Sequence, residues 1–302
     1  MRDPIHIAGP TASGKTDLAL LIAERLQGEI ISVDSMQVYR GLDIGTAKPG
    51  PEELRRVPHH LIDVVALGES FDAARFLRLA KQAEADIRAR GRCPIYCGGT
   101  GLYFKALAAG LGEAPPADPA LRETLEEVPT EDLLRELEEK DPVTFAAIDR
   151  ANRRRVIRAV EVVRLTGRPF SSQRDAWQVA PPAGTWLGLA RERADLNERI
   201  NRRVDRMFAA GLVRETEHLL QQGLEQNQTA MQAIGYRQVV EHLRGERNLP
   251  DTIELIKQRT RQYAKRQMTW FRRQLSLTWM AVKPTESAEE LLERAIAATA
   301  QA

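Results

Sequence analysis

The sequence has no long apolar run and few cysteines. None of its apolar stretches approaches the roughly 18 residues that a membrane-spanning helix needs. Two cysteines, Cys93 and Cys97, are too few for a disulfide framework. Residues 1–14 lead directly into a glycine-rich motif and lack the basic, apolar and small-residue pattern of a secretion signal. These absences argue against secreted and membrane proteins, and we expect a cytoplasmic protein.

Lysine is also scarce, whereas arginine is abundant. The 302 residues include 8 lysines and 36 arginines, and the net charge is only +2. Arginine presents a planar fork of donors that suits phosphates and base edges, although a GC-rich genome would produce the same bias. The 43% hydrophobic content is typical of a globular protein with a buried core. The length is enough for about two domains.

The charges are segregated along the chain. Residues 113–141 contain 11 acidic and 3 basic residues, a net charge of −8. Residues 150–168 contain 7 basic and 1 acidic residue, and residues 237–273 contain 10 basic and 4 acidic residues, so each has a net charge of +6. Two basic stretches suggest a polyanionic partner larger than a nucleotide, and the alternative is that they form solvated helix faces.

Short apolar runs alternate with helical patterns in the first part of the chain. We predict strands at 4–8, 29–33, 61–65, 94–97 and 186–190, and a helix at 73–90. This alternation predicts an α/β fold with a parallel sheet that has helices on both faces and ligands at the strand carboxyl ends.

Prolines mark the limits of a different region. The segment 113–184 is rich in Glu, Leu and Arg at helical spacing, and proline pairs lie near both of its ends. We therefore predict an all-helical insertion domain at 113–184. It separates a first part of the core, 1–112, from a second and mostly helical part, 185–302.

The first loop matches the phosphate-binding pattern G-x-x-x-x-G-K-[ST] in full. It lies between a predicted strand and a predicted helix, which indicates a P-loop NTPase-like core. Its backbone N–H groups can surround phosphate oxygens, Lys15 adds a charge, and the Thr16 hydroxyl can bind Mg²⁺. The pattern indicates a diphosphate or a longer chain, without requiring a nucleotide. The predicted phosphate-binding residues are Gly9, Pro10, Thr11, Ala12, Ser13, Gly14, Lys15 and Thr16.

Asp34 ends the second predicted strand and should therefore face the same cleft. Its carboxylate could hold Mg²⁺, act as a general base, or cap the following turn. In the glycine-punctuated loop that follows, Lys48 could reach an anion.

Several segments together resemble the tRNA dimethylallyltransferase family, also called tRNA isopentenyltransferases. The phosphate-binding loop is followed by DSMQVYRGLDIGTAKP at 34–49, HHLID at 59–63 and GGTGLY at 98–103. AIGYR at 233–237 and KRQMTWFR at 265–272 complete the set in the family's order. The resemblance covers about residues 5–275. The combination is far more specific than the phosphate-binding loop, which many NTPases share.

The resemblance implies a reaction and a mechanism. The family transfers the dimethylallyl group of dimethylallyl diphosphate to N6 of adenosine 37 in tRNAs that read codons starting with U, and it releases diphosphate without consuming ATP. Asp34 matches the family's general base. Lys15, Thr16 and Mg²⁺ would stabilise the departing diphosphate, and Arg237 would add to the diphosphate site. We expect a monomer.

The resemblance also implies contacts with the tRNA anticodon stem-loop, whose target base must leave its stack. For each contact the alternative is a solvated helix face or a structural ion pair. The implied tRNA-binding residues are Asp34, Ser35, Met36, Gln37, Thr100, Arg122, Arg154, Arg155, Val156, Ile157, Arg158, Gln232, Ala233, Ile234, Gly235, Tyr236, Arg237, Lys265, Arg266, Gln267, Met268, Thr269, Trp270, Phe271 and Arg272.

The sequence departs from the family pattern in places. Arg153-Arg154 stands where the family usually has Pro-Gln, which replaces an amide that could read a base edge with a guanidinium. The zinc finger of eukaryotic members is absent, which indicates a bacterial type. We interpret Cys93 and Cys97 as core or lining residues, and His59 and His60 as partners of backbone groups. Trp270 and Phe271 are interpreted as core residues.

Three other functions remain open from the sequence alone. A prenyltransferase acting on free AMP or ATP would share the loop and Asp34, but it would not explain the two basic stretches. A small-molecule kinase would consume ATP. An RNA-binding module with a vestigial loop would release no diphosphate, and the intact Lys15 and Thr16 argue against it.

Overall fold

The computed structural model describes residues 3–112, 114–173 and 183–300. The chain forms two compact units, the first comprising Met1–Lys105 and Ala183–Ala302 and the second comprising Ala106–Pro182. The insertion predicted from the sequence was 113–184. None of the helices in the described ranges is long and apolar enough to cross a membrane.

The first unit, here called the α/β unit, alternates strands and helices in its N-terminal half. That half consists of β1 (Ile5–Ala8), α1 (Lys15–Leu26), β2 (Gly28–Val33), α2 (Pro51–Arg56), β3 (His59–His60), α3 (Ala73–Ala89), β4 (Cys93–Gly98) and α4 (Gly101–Ala109).

The second unit, here called the helical unit, follows in the chain. Its helices are α5 (Pro119–Glu127), α6 (Thr130–Lys140), α7 (Pro142–Ala147) and α8 (Arg153–Thr166). The side chains of Asp118, Asp141 and Asn152 cap α5, α7 and α8 by accepting backbone N–H groups. Leu125, Leu133 and the apolar face of α8 form a separate hydrophobic core.

The C-terminal half of the α/β unit is mostly helical. It consists of β5 (Thr185–Arg191), α9 (Arg193–Ala209), α10 (Leu212–Gln221), α11 (Tyr236–Leu243), α12 (Leu249–Gln274), β6 (Thr278–Val282) and α13 (Ala288–Ala300).

The six strands form one parallel sheet in the order β3-β2-β4-β1-β5-β6. The parallel α/β fold predicted from the sequence is therefore confirmed. The strand predicted at 61–65 is wrong, because Leu61 and Asp63 have positive φ angles that a strand does not adopt. His59 and His60 form the edge strand instead. The strand β6 was not predicted.

Alternate residues of the strands point to opposite faces of the sheet. On one face, Ile7 and Ile95 pack with the buried side of α1 and with α13. On the other face, the His6 ring stacks between those of Tyr96 and Trp186, and the Tyr96 hydroxyl donates to Glu84 of α3. Helices therefore cover both faces, and the carboxyl ends of the central strands remain available for a site.

Candidate active site

The phosphate-binding loop joins β1 to the N-terminus of α1. Gly14 has a φ of 94° and Ala12 a φ of 62°, so the loop contains two left-handed residues in its tightest part. The Ser13 hydroxyl is buried and has no hydrogen-bond partner among the described residues. An orphaned buried hydroxyl beside a helix N-terminus is suited to an anion or its hydration shell.

Three side chains from distant parts of the α/β unit hold this loop. Arg191 Nε donates to the Ser13 carbonyl oxygen at 2.8 Å, and Arg199 Nε donates to that of Ala12 at 2.9 Å. The Thr11 N–H donates to Gln267 Oε1 at 2.9 Å. The backbone of the loop is therefore fixed by residues that lie outside its sequence motif.

Sequence reasoning missed the arginines of α9. Arg199, Arg203 and Arg206 recur at helical spacing directly after β5, which pairs with β1. That spacing, together with the position of β5 beside the strand that carries the loop, was the available signal. Lys15, Thr16 and Arg203 line both of the cavities that adjoin the loop.

One cavity, of about 400 Å³, lies where the loop meets the residues after β2 and β4. Phosphate-binding side chains, Asp34 and apolar groups share its surface. The lining residues are Thr11, Lys15, Thr16, Asp34, Ser35, Met36, Gln37, Gly45, Thr46, Ala47, Cys97, Gly98, Gly99, Arg203, Val204, Met207, Gln232, Ala233, Ile234, Ile256, Thr260, Tyr263, Arg266 and Gln267.

The other cavity, of about 600 Å³, adjoins the loop beside α9 and is strongly basic. Its lining residues are Ala12, Gly14, Lys15, Thr16, Asp17, Arg199, Arg202, Arg203, Asp205 and Arg206.

Asp34 is fixed by the turn that it begins. Its Oδ1 accepts the N–H groups of Met36 at 2.8 Å and Gln37 at 3.3 Å, so the carboxylate caps the turn as one sequence alternative predicted. Oδ2 accepts no hydrogen bond from the described part of the chain. Asp34 also lines the smaller cavity, so the capped carboxylate keeps an oxygen that can receive a proton.

Burial shifts the pKa values of the titratable groups around Asp34. Burial lowers the pKa values of Lys15 and Arg203, and the nearby Asp34 carboxylate partly offsets this effect. Burial raises the pKa of the Cys97 thiol to about 12 and that of the Tyr263 phenol to about 12. At neutral pH the thiol and the phenol therefore stay protonated. Asp34 is the only acidic side chain that the described residues place in the smaller cavity.

A network of hydrogen bonds fixes the loop at 41–48. The Gln37 amide donates to the carbonyl oxygens of Thr46 and Ala47. The Glu215 carboxylate accepts the Ile44 N–H at 2.9 Å and the Tyr236 hydroxyl at 2.7 Å. Burial is the main reason that the pKa of Tyr236 is raised, so this phenol stays a donor.

Lys48 does not reach an anion site, contrary to the sequence interpretation. Its side chain is 5% exposed. The ammonium donates to the Tyr39 carbonyl oxygen and forms ion pairs with Asp43 and Asp63. It braces the loop internally.

Arg237, which the family resemblance had placed in the diphosphate site, lies away from the phosphate-binding loop. It lies on α11, pairs with Glu241 at 3.2 Å and lines neither cavity. The arginines beside the phosphate-binding loop are Arg191, Arg199 and Arg203, so the structure does not place Arg237 in a diphosphate site. Motif resemblance alone had suggested it.

The structure brings part of the predicted tRNA-binding set to the smaller cavity. Thr100 is a neighbour, since its Oγ1 accepts the Ser35 N–H at 3.0 Å. Tyr236 and Phe271 are fully buried, and Trp270 packs closely against Gly101. The side chains of Tyr236 and Phe271 belong to the core, and that of Trp270 is half-buried at its edge. The predicted residues that line the cavity are Asp34, Ser35, Met36, Gln37, Gln232, Ala233, Ile234, Arg266 and Gln267.

In the helical unit the predicted tRNA-binding residues divide into three groups: ion-paired arginines, apolar core residues and exposed arginines. Arg122 and Arg158 both pair with the Glu161 carboxylate, which has no exposed surface. Val156 and Ile157 lie in the core. Arg154 and Arg155 are exposed. The ion-pair alternative therefore describes the first group, and contact with RNA remains a prediction for the exposed arginines.

The residues at the loop fit a magnesium ion shared with a diphosphate. No cluster of three or more His, Cys, Asp or Glu ligands occurs within the described ranges. Mg²⁺ takes oxygen ligands, keeps several waters and is usually held by one or two protein groups plus phosphates. The Thr16 hydroxyl, the Asp34 carboxylate and the orphaned Ser13 hydroxyl supply oxygens of that kind.

The fold and the site define an α/β protein whose glycine-rich loop lies beside the Asp34 carboxylate at the ends of the parallel strands. The family model for IPP transferase matches residues 37–274. A tRNA dimethylallyltransferase of Geobacter metallireducens is 50% identical over 91% of this chain and 91% of its own length. The chain therefore belongs to the IPP transferase family, as the sequence resemblance predicted.

Solved structures agree with this assignment. The tRNA isopentenylpyrophosphate transferase of Bacillus halodurans superposes with a TM-score of 0.73, is 40% identical, and is matched over 100% of this chain and 97% of its own. A eukaryotic dimethylallyltransferase acting on tRNA gives a TM-score of 0.84 at 28% identity, over 98% of this chain and 78% of its own.

Proposed function

We propose that this enzyme transfers the dimethylallyl group of dimethylallyl diphosphate to N6 of adenosine 37 in the tRNA anticodon stem-loop. The observation that carries the proposal is the smaller cavity, where Lys15 and Thr16 of the phosphate-binding loop share one surface with the Asp34 carboxylate. Leaving-group stabilisation and proton removal can therefore act on the same substrate pair. The names of the related enzymes favour this activity.

The transfer forms one bond and breaks another. The N6 nitrogen attacks the allylic carbon bonded to the diphosphate, the carbon–oxygen bond breaks, and the diphosphate leaves with the electron pair. The exocyclic amine is a poor nucleophile because its lone pair is delocalised into the ring. Asp34 Oδ2 accepts the N6 proton as the new bond forms, which removes the positive charge from nitrogen.

The charge that grows on the diphosphate is met by Lys15, Arg203 and the N–H groups of the loop. Thr16 would hold Mg²⁺, which would supply further charge stabilisation for the leaving diphosphate when it is bound. Apolar lining groups such as Ile256 and Val204 exclude water from the allylic carbon. The flipped base would complete this exclusion.

The partner in this proposal is a tRNA, whose phosphates are bound by exposed arginines and lysines of the enzyme. Arg154, Arg155, Lys265 and Arg266 carry exposed positive charge for this task. The proposal also includes a monomeric enzyme of the cytoplasm. Simultaneous replacement of these four residues by alanine should weaken tRNA binding and flatten its salt dependence.

The test is incubation with dimethylallyl diphosphate and a stem-loop that carries A36-A37-A38, followed by digestion and mass analysis of the nucleosides. We expect one dimethylallyl group on adenosine 37 and one diphosphate released for each transfer. Parallel reactions contain AMP in place of the stem-loop, or ATP in place of the prenyl donor. Faster transfer to AMP, or consumption of ATP without the prenyl donor, would contradict the proposal.

A further inference from the structure

The side chain of Gln267 lies inside the α/β unit, although Lys265 and Arg266, which precede it on α12, are exposed. Its Oε1 accepts the Thr11 N–H at 2.9 Å, and its Nε2 donates to the Gly99 carbonyl oxygen at 2.9 Å. The side chain is buried, and Tyr263 shares a further hydrogen bond with it. Both ends of the amide are therefore used within the protein.

The two backbone partners of Gln267 belong to different loops. Thr11 lies in the phosphate-binding loop after β1, and Gly99 follows β4, the neighbouring strand in the sheet. A Cβ atom at Gly99 would lie 2.5 Å from Gln267 Nε2, so the approach needs glycine there. The amide therefore fits closely between the carboxyl ends of two adjacent strands.

The phosphate-binding loop needs such an external support. Ala12 has a left-handed φ of 62°, which is costly for a residue other than glycine, and persists where the surroundings determine the backbone. Arg191 and Arg199 hold the carbonyl oxygens of Ser13 and Ala12. Gln267 provides the hydrogen bond to the Thr11 N–H, and so fixes the start of the loop.

Resemblance to the family had placed Gln267 among the tRNA contacts. Lys265 and Arg266 are exposed and can meet phosphates, but the Gln267 amide accepts from the Thr11 N–H, donates to the Gly99 carbonyl oxygen and shares a hydrogen bond with Tyr263. The structure assigns a different role, which rests on the proposed function. We propose that Gln267 is a positioning residue that shapes the phosphate-binding loop for the prenyl diphosphate and makes no direct contact with tRNA.

The test compares Gln267→Met with Gln262→Met, an exposed position on the same helix that lines neither cavity. Binding of inorganic diphosphate is measured by calorimetry, and binding of tRNA is measured without a prenyl donor. In Gln267→Met we expect diphosphate affinity to fall and KM for dimethylallyl diphosphate to rise, each about tenfold, the loss for one buried hydrogen-bonding group. The tRNA Kd should change less than twofold, and Gln262→Met should match the wild type.

The variant Gln267→Asn separates positioning from packing. Its shorter side chain keeps a neutral amide but cannot reach both Thr11 and Gly99, so diphosphate affinity should lie between those of the wild type and Gln267→Met. This conservative variant also serves if Gln267→Met does not fold. An unchanged diphosphate affinity in either Gln267 variant, or a tRNA Kd that rises as much as the KM, would overturn the role.

Failure of this inference is distinguishable from failure of the proposed function. Diphosphate calorimetry needs no transfer, so it reports on Gln267 even if the stem-loop is not prenylated. Conversely, a wild-type enzyme that prenylates the stem-loop while Gln267→Met keeps full diphosphate affinity retains the function and loses the positioning role.

Discussion

The arginines beside the phosphate-binding loop differ from those around Glu161 in what their guanidinium groups bind. In the α/β unit, Arg199 donates to the Ala12 carbonyl oxygen and Arg203 to that of Thr46. In the helical unit, Arg122 and Arg158 both pair with the Glu161 carboxylate. A carbonyl oxygen carries only a partial charge, whereas a carboxylate cancels a full one.

The difference distinguishes arginines whose charge is available to a ligand from arginines whose charge is neutralised within the fold. Arginines held by carbonyl groups are fixed in place and stay uncompensated, so they can attract a diphosphate. Arginines held by a buried carboxylate stabilise the packing around it and leave little net field. Arg191 combines both arrangements, since it holds the Ser13 carbonyl oxygen and pairs with Asp195 at 2.8 Å. The amino-acid composition does not distinguish between these kinds of arginine.

The largest expected effect comes from the only acidic group among the described residues that line the smaller cavity. In Asp34→Asn we expect turnover to fall about 10³-fold, because general-base assistance to the amine is lost. Diphosphate binding should be equal or tighter, since the variant removes a negative charge from a positive cavity. Single-turnover rates and diphosphate calorimetry check the two expectations. Turnover near that of the wild type would contradict the base assignment.

The next effect should appear only in the helical unit. In Glu161→Gln two half-buried guanidinium groups lose their carboxylate, so the free energy of unfolding should fall by about 3 kcal/mol. Denaturant unfolding and hydrogen exchange of α5 and α8 measure the loss. Diphosphate affinity should be unchanged.

The matched control for Glu161 is Glu136→Gln. The Glu136 carboxylate is 19% exposed, whereas that of Glu161 has no exposed surface, so the loss should be below about 1 kcal/mol. Equal losses in the two variants would remove the distinction between buried and exposed pairs in this unit.

Arg203 should show the opposite pattern. In Arg203→Met we expect diphosphate affinity to fall about 30-fold, the loss for a charge-assisted hydrogen bond, with little change in stability. Arg214→Met, an exposed position outside both cavities, is the control. Calorimetry at several salt concentrations measures both variants. A loss of stability in Arg203→Met without a loss of affinity would mean that its charge is structural after all.

The sequence predicted those features that depend on local pattern. The phosphate-binding loop and Asp34 follow from a complete motif and a strand end, and β1, β2, β4 and β5 follow from short apolar runs. The strand β6 was missed because it is a short edge strand of which only two residues, Met280 and Val282, are buried. Its place in the sheet depends on pairing with β5.

Contacts between distant residues could not be predicted in the same way. Arg199 lies 187 positions from the carbonyl that it holds, and Gln267 lies 256 positions from Thr11. Such pairs form only when tertiary folding brings the chain together, so periodicity gives no information about them. The role of Arg237 stays a prediction for the same reason, since a motif records which residues are present without recording what they face.

The last expected effect, the smallest for a change of one pH unit, is a difference between the two cores in their response to acid. The His6 ring lies 3.8 Å from that of Trp186, its Nδ1 lacks a partner among the described residues, and burial lowers its pKa to about 3. In the unfolded chain, His6 therefore binds a proton near pH 6.5, whereas in the folded chain it stays neutral until the pH is much lower. Stability should fall by about 1.4 kcal/mol per pH unit below 6.5, down to the folded pKa.

Replacement by an apolar ring should remove this slope. In His6→Phe the ring stack with Tyr96 and Trp186 is retained, and denaturant unfolding at pH 7, 6 and 5 should show a smaller decline than in the wild type. Parallel declines would mean that another group causes the acid sensitivity. For Glu161, burial alone raises the pKa, but hydrogen bonds from Arg122 and Arg158 outweigh it and hold the pKa below 4.5. The helical unit therefore keeps this contribution until the pH falls below 4.5, so mild acid should weaken the α/β unit first.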